Sequence, residues 1–186
     1  MNIENQVEQV YATPPPEDIN TSVMKFVRGN IGANLSHAKA LTRALAQNAN
    51  AALIFEDDFY VTSEHKSLLK KALADLPSDW DILYLGGNPD APMKRYTDNL
   101  YIPTKMLGLF AYAMSRKGIA TALDMLYDNM TSRPFDGLMK DSASRMKVFC
   151  PKDPICRTAP GFSIVRGASR DYEEKITSNW EINRPK

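Results

Sequence analysis

Three carboxylates in a row, Glu56-Asp57-Asp58, directly follow the apolar run Ala51-Ala52-Leu53-Ile54-Phe55. Like charges at that spacing repel one another, and burial at the end of a core strand raises their pKa values further. A cation relieves both effects. Hard divalent ions such as Mg2+ or Mn2+ take carboxylate oxygens and often share their remaining positions with substrate phosphates. In such a site one carboxylate of the run binds the metal while its neighbour orients a sugar or ribose. The plainer alternative is a solvated acidic turn that caps the following helix.

A second candidate is His37, in the segment Gly29-Asn30-Ile31-Gly32-Ala33-Asn34-Leu35-Ser36-His37. Glycines ahead of a helix N-terminus let backbone N–H groups approach an anion. The spacing is neither the dinucleotide fingerprint nor a P-loop, and a structural histidine on a helix face fits equally well. The two cysteines, Cys150 and Cys156, enclose Pro151 and Pro154 and are too far apart for a CxxC motif. They read as reduced thiols at a strand end. With only two histidines in the chain, a closed Cys/His zinc site is excluded.

The elements that would position these residues alternate. Val7 to Ala12 suggests a short strand, ended by Pro14-Pro15-Pro16. Gly29 to Gly32 reads as a turn, and a helix follows from about Ala33 to Asn48, with Leu35, Ala38, Leu41 and Leu45 at helical spacing. Ala51 to Phe55 is continuous and apolar, so it reads as a strand covered on both faces. Ser63 is a candidate cap for a helix through Asp75. Strands are expected at Asp81 to Leu85, Asn99 to Ile102, Leu109 to Met114 and Met146 to Phe149. A helix capped by Ser115 carries Ile119, Ala122, Leu123 and Leu126 on one face, and a short helix spans Phe135 to Ala143. After that, loop chemistry dominates. Alternating strands and helices with continuous apolar strands predict an α/β domain, with a mainly parallel sheet and helices on both faces. In such sheets ligands sit beyond the carboxyl ends of the strands, which is where the acidic run lies.

Composition sets outer limits. The chain has 186 residues, enough for one domain. A 44% hydrophobic and 24% charged composition excludes disorder as the main state. The net charge of +1 argues against a constitutive nucleic-acid coat protein. No apolar run approaches the roughly 20 residues of a membrane span, and the first twenty residues lack the basic start of a signal peptide. These features read as a soluble, cytoplasmic protein.

Several of these segments occur together in a familiar order. Gly29 to His37, Ala52 to Asp58, Asp79-Trp80-Asp81-Ile82-Leu83-Tyr84-Leu85-Gly86, Ala111 to Ser115 with Gly118, and Pro134-Phe135-Asp136 resemble glycosyltransferase family 25. That family comprises the lipopolysaccharide-type and collagen-type galactosyltransferases, and the resemblance covers about Val7 to Phe162. It implies a single GT-A-like, Rossmann-like domain over residues 1–186, with residues 166–186 as a tail. It also implies a nucleotide-sugar donor, UDP-linked, and transfer with inversion. Mn2+ or Mg2+ would be held by Asp58 and Glu56. The donor would meet Gly32, Ser36, His37, Glu56, Asp57 and Tyr112, with Ser163 and Arg166 near its phosphates. Asp136 is the general base by position, its alternative being a plain helix N-terminal carboxylate. The acceptor would be a lipopolysaccharide-type glycan, a protein, or a hydroxylated DNA base if the gene is viral.

The resemblance also implies that the chain opens almost at the family's second strand, leaving a sheet edge bare. Either a second copy or the tail from Gly167 to Lys186 would cover it. Trp180 and Ile182, whose burial contributes about 1.5–3 kcal/mol each, predict that the tail packs onto the domain or onto a second subunit. Two other functions compete with transfer. One is a non-catalytic relative that binds a nucleotide, sugar or partner protein. The other is a metal-dependent phosphohydrolase, for which the larger ligand sets of two-metal enzymes are missing.

Overall fold

The computed structural model of the chain describes residues 8–14, 25–163, 168–171 and 173–185. In chain order the elements are α1 (Lys25–Ala46), β1 (Ala51–Phe55), β2 (Phe59–Val61), α2 (His65–Asp75), β3 (Ile82–Tyr84) and β4 (Asn88–Pro89). There follow β5 (Lys94–Arg95), β6 (Leu100–Ile102), β7 (Met106–Leu107), β8 (Ala111–Ser115), α3 (Arg116–Asp128) and α4 (Phe135–Lys140). The last are β9 (Val148–Pro151), β10 (Cys156–Thr158), β11 (Gly161–Ser163), β12 (Ala168–Arg170) and α5 (Glu173–Asn183). Among the described residues no helix is long and apolar enough to cross a membrane.

The α/β class holds, but the sheet is mixed rather than mainly parallel. Its six strands run in the order β1-β8-β3-β9-β6-β5. β8 is antiparallel to both β1 and β3, β9 is parallel to β3, and β6 is antiparallel to both β9 and β5. Thus β1 and β3 share a direction, as the alternation of elements predicts, yet β8 is inserted between them the other way. Continuous apolar runs report burial of both faces and carry no information on direction. Here the reversal follows a turn at Gly108, whose φ of 78° suits glycine.

β1 also departs from its expected burial. It alternates, with Ala51, Leu53 and Phe55 exposed and Ala52 and Ile54 half-buried. The strand lies at the sheet edge, so only one of its faces is covered. That face receives α1, which packs with α3 and α4 as one helical layer.

α1 is longer than its sequence suggests, because Gly29 and Gly32 lie inside the helix and not in a turn before it. Each interior glycine costs about 1 kcal/mol relative to alanine. The stripe Ile31, Asn34, Ala38 and Leu41, all buried, outweighs that cost. Residues 8–14 carry no strand, which corrects the expected strand at Val7 to Ala12, Val7 itself lying outside the described residues. α2 starts at His65 with Glu64 at its N-cap position and no side-chain capping bond, so Ser63 is not the cap. Ser115 is one, its hydroxyl accepting from the Gly118 N–H at 3.0 Å.

Asp81 ties these parts together. It is buried, accepts from the Lys147 N–H at 2.8 Å and pairs with Lys117 at 3.1 Å. Its own carbonyl accepts from the Ser115 N–H. Gly118 packs so close that a Cβ there would lie 2.1 Å from that carbonyl oxygen.

The tail is structured where it is described. In α5, Ile176 and Trp180 are buried, and the Trp180 indole N–H donates to the Gly87 carbonyl at 2.8 Å. Ile182 stays 73% exposed, contrary to expectation. α5 packs on β4, so the tail anchors there rather than along β1. Trp180→Ala should destabilise the fold by about 3–5 kcal/mol, with Trp180→Phe between the two. Chemical denaturation measures both, and a loss under about 1 kcal/mol for the alanine variant would contradict the anchoring role.

Candidate active site

The carboxyl ends of β1 and β3, the neighbouring start of β8 and the helical layer converge on one group of side chains. Tyr112 and Tyr84 are direct neighbours in the sheet register, and both are buried. Burial, then the charge of Glu56, holds the Tyr112 phenol well above its ordinary pKa. Its hydroxyl lies 2.9 Å from His37 Nδ1. The other ring nitrogen, Nε2, lies 3.3 Å from Glu56 Oε1. Phe135 closes over the imidazole with ring centroids 5.1 Å apart. His37, Glu56 and Tyr112, singled out by the sequence, are therefore in direct contact.

The acidic run continues from β1 in a turn held by the Ala159 N–H, which donates to the Asp58 carbonyl at 2.8 Å. Asp58 keeps contact with solvent, yet its carboxyl is partly withdrawn among protein atoms. That desolvation, followed by repulsion from Glu56 and Asp57, raises its pKa above the ordinary 3.8. Among the described residues no group of three or more His, Cys, Asp or Glu side chains is arranged to hold a metal ion. Glu56 is engaged by His37, which leaves Asp58 with Asp57 beside it. Two carboxylates make a partial shell of the kind Mg2+ or Mn2+ completes with waters and phosphate oxygens, and the raised Asp58 is the group such an ion would relieve.

Asp136 is brought to the same place by Asn34. This buried amide donates to the carbonyls of Met130 and Arg133 at 2.8 and 2.9 Å and accepts from the Phe135 N–H at 2.8 Å. It thereby clamps the loop before α4 onto α1. Asp136 then sits half-buried in the first turn of α4. Tyr84 donates to the Met139 carbonyl of the same helix at 3.2 Å. Burial raises the Tyr84 phenol, and the Asp136 carboxylate adds to that effect. Asp136 and Glu56 are thus both felt by one pair of adjoining buried phenols.

Other predicted residues fall elsewhere in the architecture. Gly32 is inside α1 and offers no helix N-terminus to an anion. The Ser36 hydroxyl accepts from the Thr13 N–H at 3.0 Å and donates to the Gly32 carbonyl at 2.8 Å. Ser163 ends β11, its side chain outside the described residues, as is Arg166 altogether. Asn34, Tyr84 and Phe135 join the site although the sequence, which set them in family-like segments, assigned them no role there. Asn34 carries the one usable signal, a polar residue within the apolar stripe of a helix. A cavity of about 310 Å³ between the start of α2 and α5 is lined by Thr62, Glu64, Asp153, Arg157 and Arg184 among others, and includes none of the predicted site residues.

The family model described as glycosyltransferase family 25 (LPS biosynthesis protein) matches residues 4–117, more than half of the chain. No curated protein matches. Among solved structures, the crystal structure of mannose-1-phosphate geranyltransferase from Thermus thermophilus is similar at 11% identity and a TM-score of 0.43, over 64% of this chain and 49% of that one. The chain thus spans about half the length of that protein.

The raised Asp58 carboxyl has a measurable consequence. Because the folded state holds this proton more tightly than the unfolded state, Asp58 withdraws stability as pH rises from 3.8 through its raised value. In metal-free buffer near neutral pH, Asp58→Asn should melt at or above the wild-type temperature. The advantage should shrink as pH falls toward the ordinary carboxylate range. A variant that melts below wild type at neutral pH and gains on acidification would reverse the assignment.

Proposed function

We propose a donor and a reaction for this chain, which belongs to glycosyltransferase family 25. It transfers a sugar from a UDP-linked donor to an acceptor hydroxyl, with inversion at the anomeric carbon. The observation that carries this reading is the approach of Glu56, from the end of β1, and Asp136, from α4, to the buried Tyr84–Tyr112 pair, with Asp58 two residues beyond Glu56. An inverting transfer needs a base for the acceptor and a counter-charge for the leaving diphosphate. One group of carboxylates cannot do both jobs unless its members differ, and here they do.

Asp58, with Asp57 beside it, would hold Mn2+ or Mg2+, which when bound supplies Lewis-acid neutralisation of the diphosphate. Glu56 faces the opening with 44% of its side chain accessible. Asp136 accepts no hydrogen bond among the described residues, which leaves its carboxylate available to take a proton from an acceptor hydroxyl. The acceptor is a lipopolysaccharide-type glycan in the reading nearest the family description, and a protein or a hydroxylated nucleobase would present the same hydroxyl chemistry.

A screen of nucleotide sugars for hydrolysis or transfer, with and without Mn2+, tests the donor. Calorimetry with UDP and Mn2+ should give metal-dependent binding to the wild type that Asp58→Asn loses while remaining folded. Unchanged Mn2+–UDP affinity in that variant sinks the metal assignment. Asp136→Asn should slow transfer by about 10²–10⁴-fold with donor affinity nearly unchanged. Near-normal turnover on a proven acceptor would return Asp136 to a helix-terminal role.

A further inference from the structure

Tyr112, His37 and Glu56 form a line that starts in the core and ends in solvent. Tyr112 is 0% exposed, the His37 side chain 11% and the Glu56 side chain 44%. The chemistry of each end fixes where the imidazole proton sits. A carboxylate only accepts, so the His37 nitrogen facing Glu56, Nε2, carries the proton. The other nitrogen, Nδ1, then offers a lone pair, and the Tyr112 hydroxyl 2.9 Å away donates to it. Both ring nitrogens thus face a polar partner, Nδ1 in a hydrogen bond and Nε2 in a close pairing with the carboxylate, and Phe135 packs against the ring. Tyr112 is sealed from ligand and His37 has no nitrogen to spare. Only Glu56 has an oxygen, Oε2, with no partner among the described residues.

We propose that His37 is a positioning residue that, braced by Tyr112, aims the Glu56 carboxylate as an acceptor for hydroxyl groups of the donor, on its ribose or its transferred sugar. This rests on the nucleotide-sugar reading above and adds a division within the acidic run. Glu56 binds hydroxyls because a histidine holds it, and Asp58, whose carboxylate has no side-chain partner among the described residues, is left for the cation. His37 itself touches no ligand.

The chain has two histidines, and the second supplies a reference. His65 Nδ1 lies 2.7 Å from the Thr62 carbonyl oxygen, which only accepts, so His65 carries its proton on Nδ1. Long-range proton–nitrogen correlation spectra of the uniformly labelled chain, recorded at alkaline pH, should show opposite tautomers, Nε2–H for His37 and Nδ1–H for His65. Tyr112→Phe should shift the His37 Nδ1 resonance toward that of an unbonded lone pair. An Nδ1–H tautomer at His37, or an Nδ1 signal indifferent to Tyr112→Phe, overturns the relay.

The ligand half is read by calorimetry with UDP and with UDP-galactose. His37→Ala should weaken UDP-galactose binding about 10–100-fold, the range for a lost hydrogen bond to a charged group. His37→Gln, whose amide can accept from Tyr112 and donate to Glu56, should recover most of it. A loss shared by UDP and UDP-galactose assigns Glu56 to the ribose, and a loss confined to UDP-galactose assigns it to the sugar. Equal affinity in wild type and His37→Ala, or a glutamine variant as weak as alanine, overturns the positioning role. A wild-type chain that binds neither nucleotide overturns the donor reading and the hydroxyl contact with it, while the spectra decide the relay separately.

Discussion

The fold depends on a buried carboxylate that belongs to no catalytic group. Asp81 directly precedes β3 and is bonded at once to α3, to the end of β8 and to the residue before β9. Its side chain takes the Lys147 N–H ahead of β9 and the ammonium of Lys117 in α3, while its carbonyl takes the Ser115 N–H at the end of β8. Asp81 is buried, so losing the Lys147 N–H or Lys117 would leave its carboxylate short of a partner away from water. Gly118 follows from the same constraint, since any Cβ there would collide with the Asp81 backbone. With this junction set, β8 is fixed between β1 and β3. The opposite ends of those strands, where Tyr84, Tyr112 and Glu56 lie, are fixed in turn.

What could be read from the sequence divides along physical lines. Strand existence was legible, because Ile82, Leu83 and Tyr84 or Ala111 to Met114 leave no other way to bury so much apolar surface. Strand direction was not, because direction is set by connections and not by the strands' own residues. The Ser115 cap was legible from one hydroxyl before a helical stripe. The start of α1 was not, because Gly29 and Gly32 signal a turn locally and are overruled by Ile31 and Asn34 packing against distant residues. α5 was hidden for a related reason. Its buried face is little more than Ile176 and Trp180, too sparse a stripe to declare a helix before the groove that receives Trp180 is known.

At the site the residue types were legible and their partners were not. His37, Glu56 and Tyr112 could each be named from the chain, yet their separation in sequence gives no hint that they touch. Their contact comes from α1 lying across β8 and β1. Asn34 shows the same limit from the other side. Its three side-chain hydrogen bonds all go to residues about a hundred positions away. Those bonds decide where Asp136 sits, so the base candidate is positioned by a residue about a hundred positions outside its own Pro134-Phe135-Asp136 segment.

Register explains why one carboxylate of three reaches the histidine. Side chains alternate along a strand with a period of two. Ala52 and Ile54 face the helical layer, Ile54 standing opposite Tyr112. The Glu56 N–H donates to the Phe110 carbonyl at 2.9 Å, extending the β1–β8 ladder by one residue beyond Phe55. Glu56 therefore inherits the face of Ile54 and Tyr112, where His37 waits, and the chain turns away before Asp57 and Asp58 can share it. Moving the run back by one position would turn the glutamate to the opposite, exposed face and leave only an aspartate's shorter side chain facing His37 Nε2. The acidic run is thus three residues of similar charge given different environments by a single strand register. That difference lets one hold to a histidine while another carries the unfavourable charge that a cation would neutralise.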